Sequence, residues 1–390
     1  MLEPGCAVSP RPKSWIVNLL RIAVTAAALI LVYRMIQFHD LLHIESIQPS
    51  VPLPRQDPVL VRDWEVLGPE TRVVFLDGTE QRFESAKVAL VRPGFLRLFA
   101  QTNKPMFVAL MAACVLPILF MSLRWWLLLR GHGFDVPLRR IFFVTYAGAF
   151  FNNFLPGAVG GDLTKAILAA SGQERKAAIA GTVILDRLIG LGTMIVMASI
   201  SLTPFLGRFS NPGLAYLIYG LLGAMVVGYG VYFSPLFRKL LGLLPFRKVV
   251  DELDGVFRSA KEKKALVGQA AALSFFAQAV GILIIYGLAV AMGIPGIGVW
   301  MFFIFEPIIF IVTALPISVG GWGVQEVLYR ELFGRFGGID PNQAIALSVL
   351  FKLSMILMSI PGGVLFAMGA ARRRSIPPPV AAPAPGTQGF

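Results

Sequence analysis

The chain is poor in cysteine, histidine and charge. Of its 390 residues only two are cysteines, Cys6 in a proline-rich leader and Cys114 inside an apolar run. That is too few, and too badly placed, for a disulfide framework or a cysteine-built metal centre. His39 and His43 are two of only three histidines. On a helix they would share a face, a spacing that can hold a metal, but no acidic cluster accompanies them, so no metal and no cofactor is expected. Charged residues make up 15% of the chain, against about 25% in a soluble domain, which argues against a water-soluble body. No GxxxxGK[ST] loop occurs, so the chain is not expected to be driven by ATP directly.

Hydrophobic residues make up 56% of the chain and fall in long runs. Crossing the hydrocarbon core takes about 20 apolar residues in a helix. Runs of that length stand at about 15–36, 106–129, 178–203, 213–233, 265–292 and 341–370. They predict an all-α, polytopic membrane helix bundle with about six full spans. Arg11 and Lys13 precede the first run, and Tyr33-Arg34-Met35 closes it without a small-x-small cleavage site, so it reads as an uncleaved span. The formal net charge of +13 would suggest nucleic acid in a soluble chain. Here lysine and arginine sit in short loops beside apolar runs, where they orient the chain on an anionic bilayer, and no nucleic-acid partner is expected.

Residues 37–103 are polar. Thr71–Glu84 reads TRVVFLDGTEQRFE, in which Asp77-Gly78 between alternating apolar residues is a β-hairpin signal. The stretch is expected to be a small, partly β extramembrane insert. The organisation read from the sequence is a leader and first span at 1–36, an extracytoplasmic insert at 37–103, a transmembrane domain at 104–371 and a basic, then Pro/Ala-rich disordered tail at 372–390. The loop 234–264 carries Arg238, Lys239, Arg247, Lys248, Arg258, Lys261, Lys263 and Lys264 and marks the cytoplasmic side. The expectation is a multi-pass protein of the cell (inner) membrane with both termini cytoplasmic.

Two further apolar segments, 141–176 and 298–337, are each broken by proline and paired glycine. Leu155-Pro156-x-x-Val159-Gly160-Gly161 matches Leu315-Pro316-x-x-Val319-Gly320-Gly321, the same string in opposite halves. Loop charge requires the first segment to begin and end inside and the second to begin and end outside, so both are expected to be re-entrant hairpins in inverted halves. Pro156 and Pro316 lack an N–H, and the glycine pairs allow positive φ and close backbone approach. Broken backbone cannot face lipid, so the breaks are expected to line a polar cavity. Helices resuming after Gly161 and Gly321 would aim free N–H groups at it, as anion sites do.

Ionisable residues within apolar segments mark this cavity, because each is costly in hydrocarbon unless partnered or wet. They are Asp162, Lys165, Asp186, Arg187, Glu306, Glu326 and Lys352. Asp162 with Lys165 also reads as a first-turn pair, and Asp186-Arg187 as a structural ion pair. Glu306 and Lys352, each a lone charge in its span, are candidates to pair with each other. Asn152 and Asn153 offer neutral hydrogen bonds to a head group or between helices. Trp125, Trp126 and Trp300 lie near span ends and read as interfacial, whereas Trp322 is placed to wall the cavity.

With NNFLPGAVGGDLTKA at 152–166, LDRLIGL at 185–191 and LPISVGGWGVQE at 315–326, the sequence resembles the lysylphosphatidylglycerol synthase transmembrane-region family, also called flippase-like. The resemblance covers about 106–370 and the first span, and the insert at 37–103 departs from it, since that family has a shorter first loop. In the best-known relatives this region moves an aminoacylated phospholipid between leaflets, and a soluble synthase domain makes that lipid. No stretch of these residues reads as such a domain, so aminoacyl transfer is not expected. The resemblance implies a lipid translocase whose partners are membrane lipids, with a separately encoded lipid-synthesising enzyme as a candidate. Lys165, Arg187 and Lys352 would hold phosphate, and Asp162, Glu306 and Glu326 would receive a cationic group or shuttle protons. Two alternatives stay open. One is an integral-membrane glycosyltransferase using a polyprenyl-phosphate donor, with Asp57, Asp63, Glu65 and Asp77 as its available outer carboxylates. The other is a non-transporting scaffold for a partner enzyme.

Overall fold

The computed structural model describes residues 26, 27, 30, 33, 34, 36–44, 58–154, 160–171, 173–207, 212–235, 237, 247–315 and 318–374. Most of the expected first span, both motif prolines Pro156 and Pro316, Arg238, Lys239 and the tail from residue 375 lie outside the described residues.

The chain is an all-α polytopic membrane protein with a small β-sheet. Among the described residues, five helices are long and apolar enough to cross a bilayer: Lys104–Gly131, Lys176–Phe205, Gly213–Tyr232, Lys264–Ala291 and Pro341–Met368. They coincide with the runs expected from 106, 178, 213, 265 and 341. The first of them comprises α2 (Lys104–Ala113) and α3 (Val115–Gly131), preceded by the short α1 (Phe95–Gln101). Its start is encoded locally. Asn103 accepts a hydrogen bond from the Met106 amide at 3.1 Å, and Pro105 occupies the first turn, where no N–H is needed. The other helices whose bounds are described are α4 (Leu138–Phe154), α5 (Gly160–Ala170), α6 (Lys176–Leu202), α7 (Gly213–Tyr232), α8 (Arg247–Glu262), α9 (Lys264–Ala291), α10 (Val299–Ala314), α11 (Val324–Tyr329), continued by a π segment at Arg330–Phe336, and α12 (Pro341–Arg374).

The sheet precedes α1. Its strands β1 (Asp40–Ile44), β2 (Val59–Leu67), β3 (Glu70–Phe75), β4 (Glu80–Glu84) and β5 (Val88–Arg92) are antiparallel and lie in the order β4-β3-β2-β1-β5. Alternation places Leu42, Ile44, Val59, Val61, Val73 and Phe75 in one small core. The Asp77-Gly78 turn joins β3 to β4 as its sequence predicts, with Gly78 at φ 86°. The Thr79 hydroxyl and amide both donate to Asp77 (2.7 and 2.9 Å) and hold its carboxyl below the usual range. The helical face imagined for the histidines does not exist, because His43 lies on β1 and His39 in the bend before it. The alternating Leu-Leu-His-Ile pattern there finds partners in β2 and β5, and that tertiary pairing fixes strand.

The sheet is pinned to one end of the bundle. Asp40 accepts hydrogen bonds from Trp64 Nε1, the Gly94 amide and Arg97, at 2.6, 2.6 and 2.8 Å. Asn342, at the start of α12, holds the backbone of Gln37 and Pro93, and Asp340 pairs with Arg92 at 3.2 Å. At that same end the Asn103 amide donates to Ala291, joining the start of α2 to the end of α9. The other end carries Gly131 at the close of α3, whose carbonyl accepts from Lys263 just before α9.

The two broken segments fold back on themselves from these opposite ends. Arg140, in the first turn of α4, donates to the carbonyls of Leu168 and Ser171 at the close of α5, so the α4–α5 hairpin opens at the Gly131 end. In α10, Phe302 lies against Phe333 of the π segment, with ring centroids 4.7 Å apart. The α10–π hairpin therefore opens at the sheet end. Their tips meet in the interior: a side chain built on Gly320 would come within 2.9 Å of the Asn153 carbonyl oxygen.

Candidate functional site

The site is built around that meeting of tips. At the first tip, Asn152 turns back and accepts a hydrogen bond from the Gly161 amide at 2.8 Å. Gly161 lies against the Gly148 carbonyl and the Asn152 side chain, so the hairpin closes only without a Cβ there. Asn153 donates to Ser359 of α12 at 3.1 Å and to Ala149 at 3.3 Å. Tyr146 donates to the Met358 carbonyl at 2.7 Å, and Gly362 and Gly363 let α12 approach Tyr146 and Phe150 closely. Gly161→Val is expected to destabilise the fold by about 1–3 kcal/mol through overpacking. Thermal unfolding in detergent checks this, and a wild-type midpoint would contradict the close approach.

The second tip is held by Lys352. Its ammonium donates to the Gly320 carbonyl and to Gln325 Oε1 (2.8 Å), and stands 5.6 Å from the centre of the Trp322 ring. Gln325 in turn donates to Ser348 at 3.3 Å. Gly320, Gly321 and Gly323 all have positive φ, at 58°, 75° and 80°. L-residues with a Cβ rarely adopt this backbone, which is why the glycines cluster there. Glu326, fully buried, accepts from the Gly323 amide at 2.6 Å.

The expectation of free helix N-termini is therefore corrected for one amide at each break. The helices resume at Gly160 and Val324, and one amide at each start is already taken, that of Gly161 by Asn152 and that of Gly323 by Glu326, because a buried amide demands a partner.

The charges of the first half are arranged differently from the pairing their sequence order suggests. Asp186 and Arg187 are neighbours in the chain but point to different partners, as adjacent residues on a helix must. Asp186 pairs with Arg124 of α3 at 2.6 Å, both side chains being buried, and Arg187 pairs with Asp162. Arg124 also donates to Ser274 of α9 at 2.7 Å, and Ser274 connects to Thr193 and Gln278. Lys165 does not pair with Asp162. It is 4% exposed, and its ammonium stands 5.7 Å from the centre of the Trp125 ring. Among the described residues it has no hydrogen bond or ion pair. Trp125 is completely buried rather than interfacial, with its indole N–H on Thr182 at 3.2 Å.

Lys352 does not pair with Glu306 either. Its carboxylate neighbour is Glu326, while Glu306 faces Tyr329 across the second hairpin. The reason is helical phase: Lys352 of α12 reaches the break and the first turn of α11, whereas Glu306 stands back along α10, opposite the last residue of α11.

Sequence reasoning missed Arg124, Gln325, Tyr329 and the Ser274–Thr193–Gln278 group. The RWW run at 124–126 in an apolar span carried a signal for the first, since an arginine at that depth needs an anion. The others are polar residues of ordinary helices, which only packing singles out. The structure thus joins Asn153 to Gly320, groups Gln325, Glu326 and Lys352 around the second break, and sets Lys165, Asp162 and Arg187 on the first hairpin and the helix beside it. Arg124–Asp186 is a separate buried pair between α3 and α6.

Residues 93–362 match the family described as the lysylphosphatidylglycerol synthase TM region, a match that takes in both broken segments and begins just after the sheet. The chain is also similar to the UPF0104 membrane protein PH1989 of Pyrococcus horikoshii, at 23% identity over 289 residues, covering 66% of this chain and 85% of that protein.

Proposed function

Because the chain belongs to the lysylphosphatidylglycerol synthase transmembrane-region family, we propose that it is a membrane-lipid translocase, moving a phospholipid or other phospho-lipid between leaflets. The observation that carries this reading is the contact of the two glycine-rich tips, Gly320 against Asn153, with a buried lysine over a tryptophan ring on each side. Broken helices belong where they are sheltered by protein or line a passage, and in transporters they meet at the substrate site.

In this reading the contact is the closed gate. Parting the tips admits the head group, while the acyl chains stay in the bilayer. Lys165, Arg187 and Lys352 hold the phosphate, and Asp162, Glu306 and Glu326 receive a cationic group or protons. Asn152, Asn153 and Trp322 line the way, and Gly160, Gly161, Gly320 and Gly321, which carry no side chain to clash, let the tips move. Rocking of one hairpin against the other alternates access. Both hairpins are re-entrant in the membrane. The basic end with α8 faces the cytoplasm and the sheet faces out, in a cell inner membrane.

The test is reconstitution of the purified chain in liposomes carrying head-group-labelled phospholipids or a polyprenyl phosphate. Label in the inner leaflet is expected to become accessible to an external quencher at a rate that rises with protein content. Liposomes that keep every lipid sidedness intact, but turn over sugar donors, would favour the glycosyltransferase alternative instead.

A further inference from the structure

Glu306 stands in the run MFFIFEPIIF and is 6% exposed. Around it Phe302, Ile304, Phe305, Ile308 and Ile309 are almost completely buried. Its Oε1 has no hydrogen-bond partner, and no cation pairs with it among the described residues. Two more buried atoms close by are open in the same way: the Tyr329 hydroxyl and Glu326 Oε1. Tyr329 and Glu326 are three residues apart on α11, so they lie on one helical face. The Tyr329 hydroxyl faces the Glu306 carboxyl without completing a well-formed hydrogen bond to it, and Glu326 stands about one turn earlier on the same helix. A purely structural polar group would be closed by hydrogen bonds, and three open ones in one place are unusual. An isolated carboxylate in apolar surroundings is relieved by taking a proton, and a hydroxyl between two carboxyls can pass one on.

The surroundings leave few other candidates. α10 packs against α6, α9, α11 and the π segment. On α6, Asp186 and Arg187 are taken by Arg124 and Asp162, and Lys176 is its first residue. On α9, Lys264 is the first residue, and Tyr286 lies edge-on to Phe302. On the π segment, Arg330 and Glu331 pair with each other and Arg335 is exposed. Beyond α11 stands Lys352, beside Glu326.

We infer that Glu306, Tyr329 and Glu326 form a proton-transfer site that gates Lys352 and couples head-group movement to a proton gradient. The transport half of this rests on the translocase reading, and the proton half does not. Glu306 in its acid form gives its proton to the Tyr329 oxygen as the Tyr329 O–H proton passes to the Glu326 carboxylate. One proton moves in all, leaving Glu306 as carboxylate and Glu326 neutral. A neutral Glu326 no longer attracts the Lys352 ammonium, which becomes free to turn from the Gly320 carbonyl to a phosphate. Glu326 then loses that proton on the side the open gate exposes and Glu306 is reloaded from the other side, so one proton crosses per cycle and Lys352 returns to the Gly320 carbonyl.

The experiment uses the full chain in two settings. In nanodiscs, infrared spectroscopy is expected to show a protonated-carboxyl band that disappears in Glu306→Gln, shifts in Tyr329→Phe and weakens as the pH is raised. Identical spectra for wild type and Glu306→Gln at every pH overturn the proton site, whatever the transport result. In liposomes with labelled phospholipid, a gradient of one pH unit is expected to bias the leaflet ratio by up to about tenfold for one coupled proton. Glu306→Gln is expected to abolish that bias. Wild-type movement of lipid that ignores the gradient overturns the coupling and leaves the translocase reading standing. A wild type that moves no lipid sinks the translocase reading, and the infrared result then decides the proton site alone.

Discussion

Arg124→Ala is expected to cost about 3–5 kcal/mol of stability, because it strands Asp186 as a buried charge without its partner. Arg124 and Asp186 stand 2.6 Å apart, and both side chains are almost completely buried. The arginine also holds Ser274, and through it the Thr193 and Gln278 group that ties α6 to α9. The same physics gives a control. Replacing both charges by apolar residues of similar volume, Arg124→Met with Asp186→Leu, is expected to recover most of the loss, since a buried ion pair gains little over well-packed side chains. Thermal or denaturant unfolding in detergent measures both. A double variant as unstable as the single would show that the pair does more than neutralise itself, and a stable single variant would remove the pair from the core altogether.

Lys352→Ala is expected to act on the tips and so on transport. It leaves the Gly320 carbonyl and Gln325 Oε1 without their donor, at about 1–3 kcal/mol for each orphaned group. If Lys352 also holds phosphate during passage, one charge-assisted contact is lost, worth roughly 1.5–3 kcal/mol. That corresponds to roughly a ten- to hundredfold slower movement of labelled lipid. Lys352→Arg keeps the charge but not the compact point donor that fits beneath Gly320, and an intermediate rate is expected. Stability and transport are read separately. A variant that unfolds more easily yet moves lipid at the wild-type rate assigns Lys352 to structure alone.

Much of the architecture was legible in the sequence because its signals are local. A span is a length of apolar chain, and the helices from Lys104, Lys176, Gly213, Lys264 and Pro341 follow from run length and a few breakers. The Asp77-Gly78 turn is likewise contained in four residues. The two LPxxVGG strings marked the places where helices had to break, and the described helices end at Phe154 and Ala314 and begin again at Gly160 and Val324, on either side of those strings. What local signals misread was the use of the helix ends. Free N–H groups were expected at the breaks, yet Asn152 takes the Gly161 amide from nine residues away and Glu326 the Gly323 amide from three.

The sequence by itself determined that this chain lives in a membrane and where its long apolar helices from Lys104 onward lie, because hydrocarbon admits only long apolar helices and punishes an open backbone. Only the tertiary structure decided which charge answers which. Asp186 and Arg187 separate to partners 62 and 25 residues away, and Lys352 turns to Gly320 and Gln325 rather than Glu306. The reason is geometric: adjacent residues of a helix point about 100° apart, so partners are chosen by the helices packed on each side. The contact of Gly320 with Asn153 is of the same kind, invisible in either half alone and made only when the two hairpins are brought tip to tip.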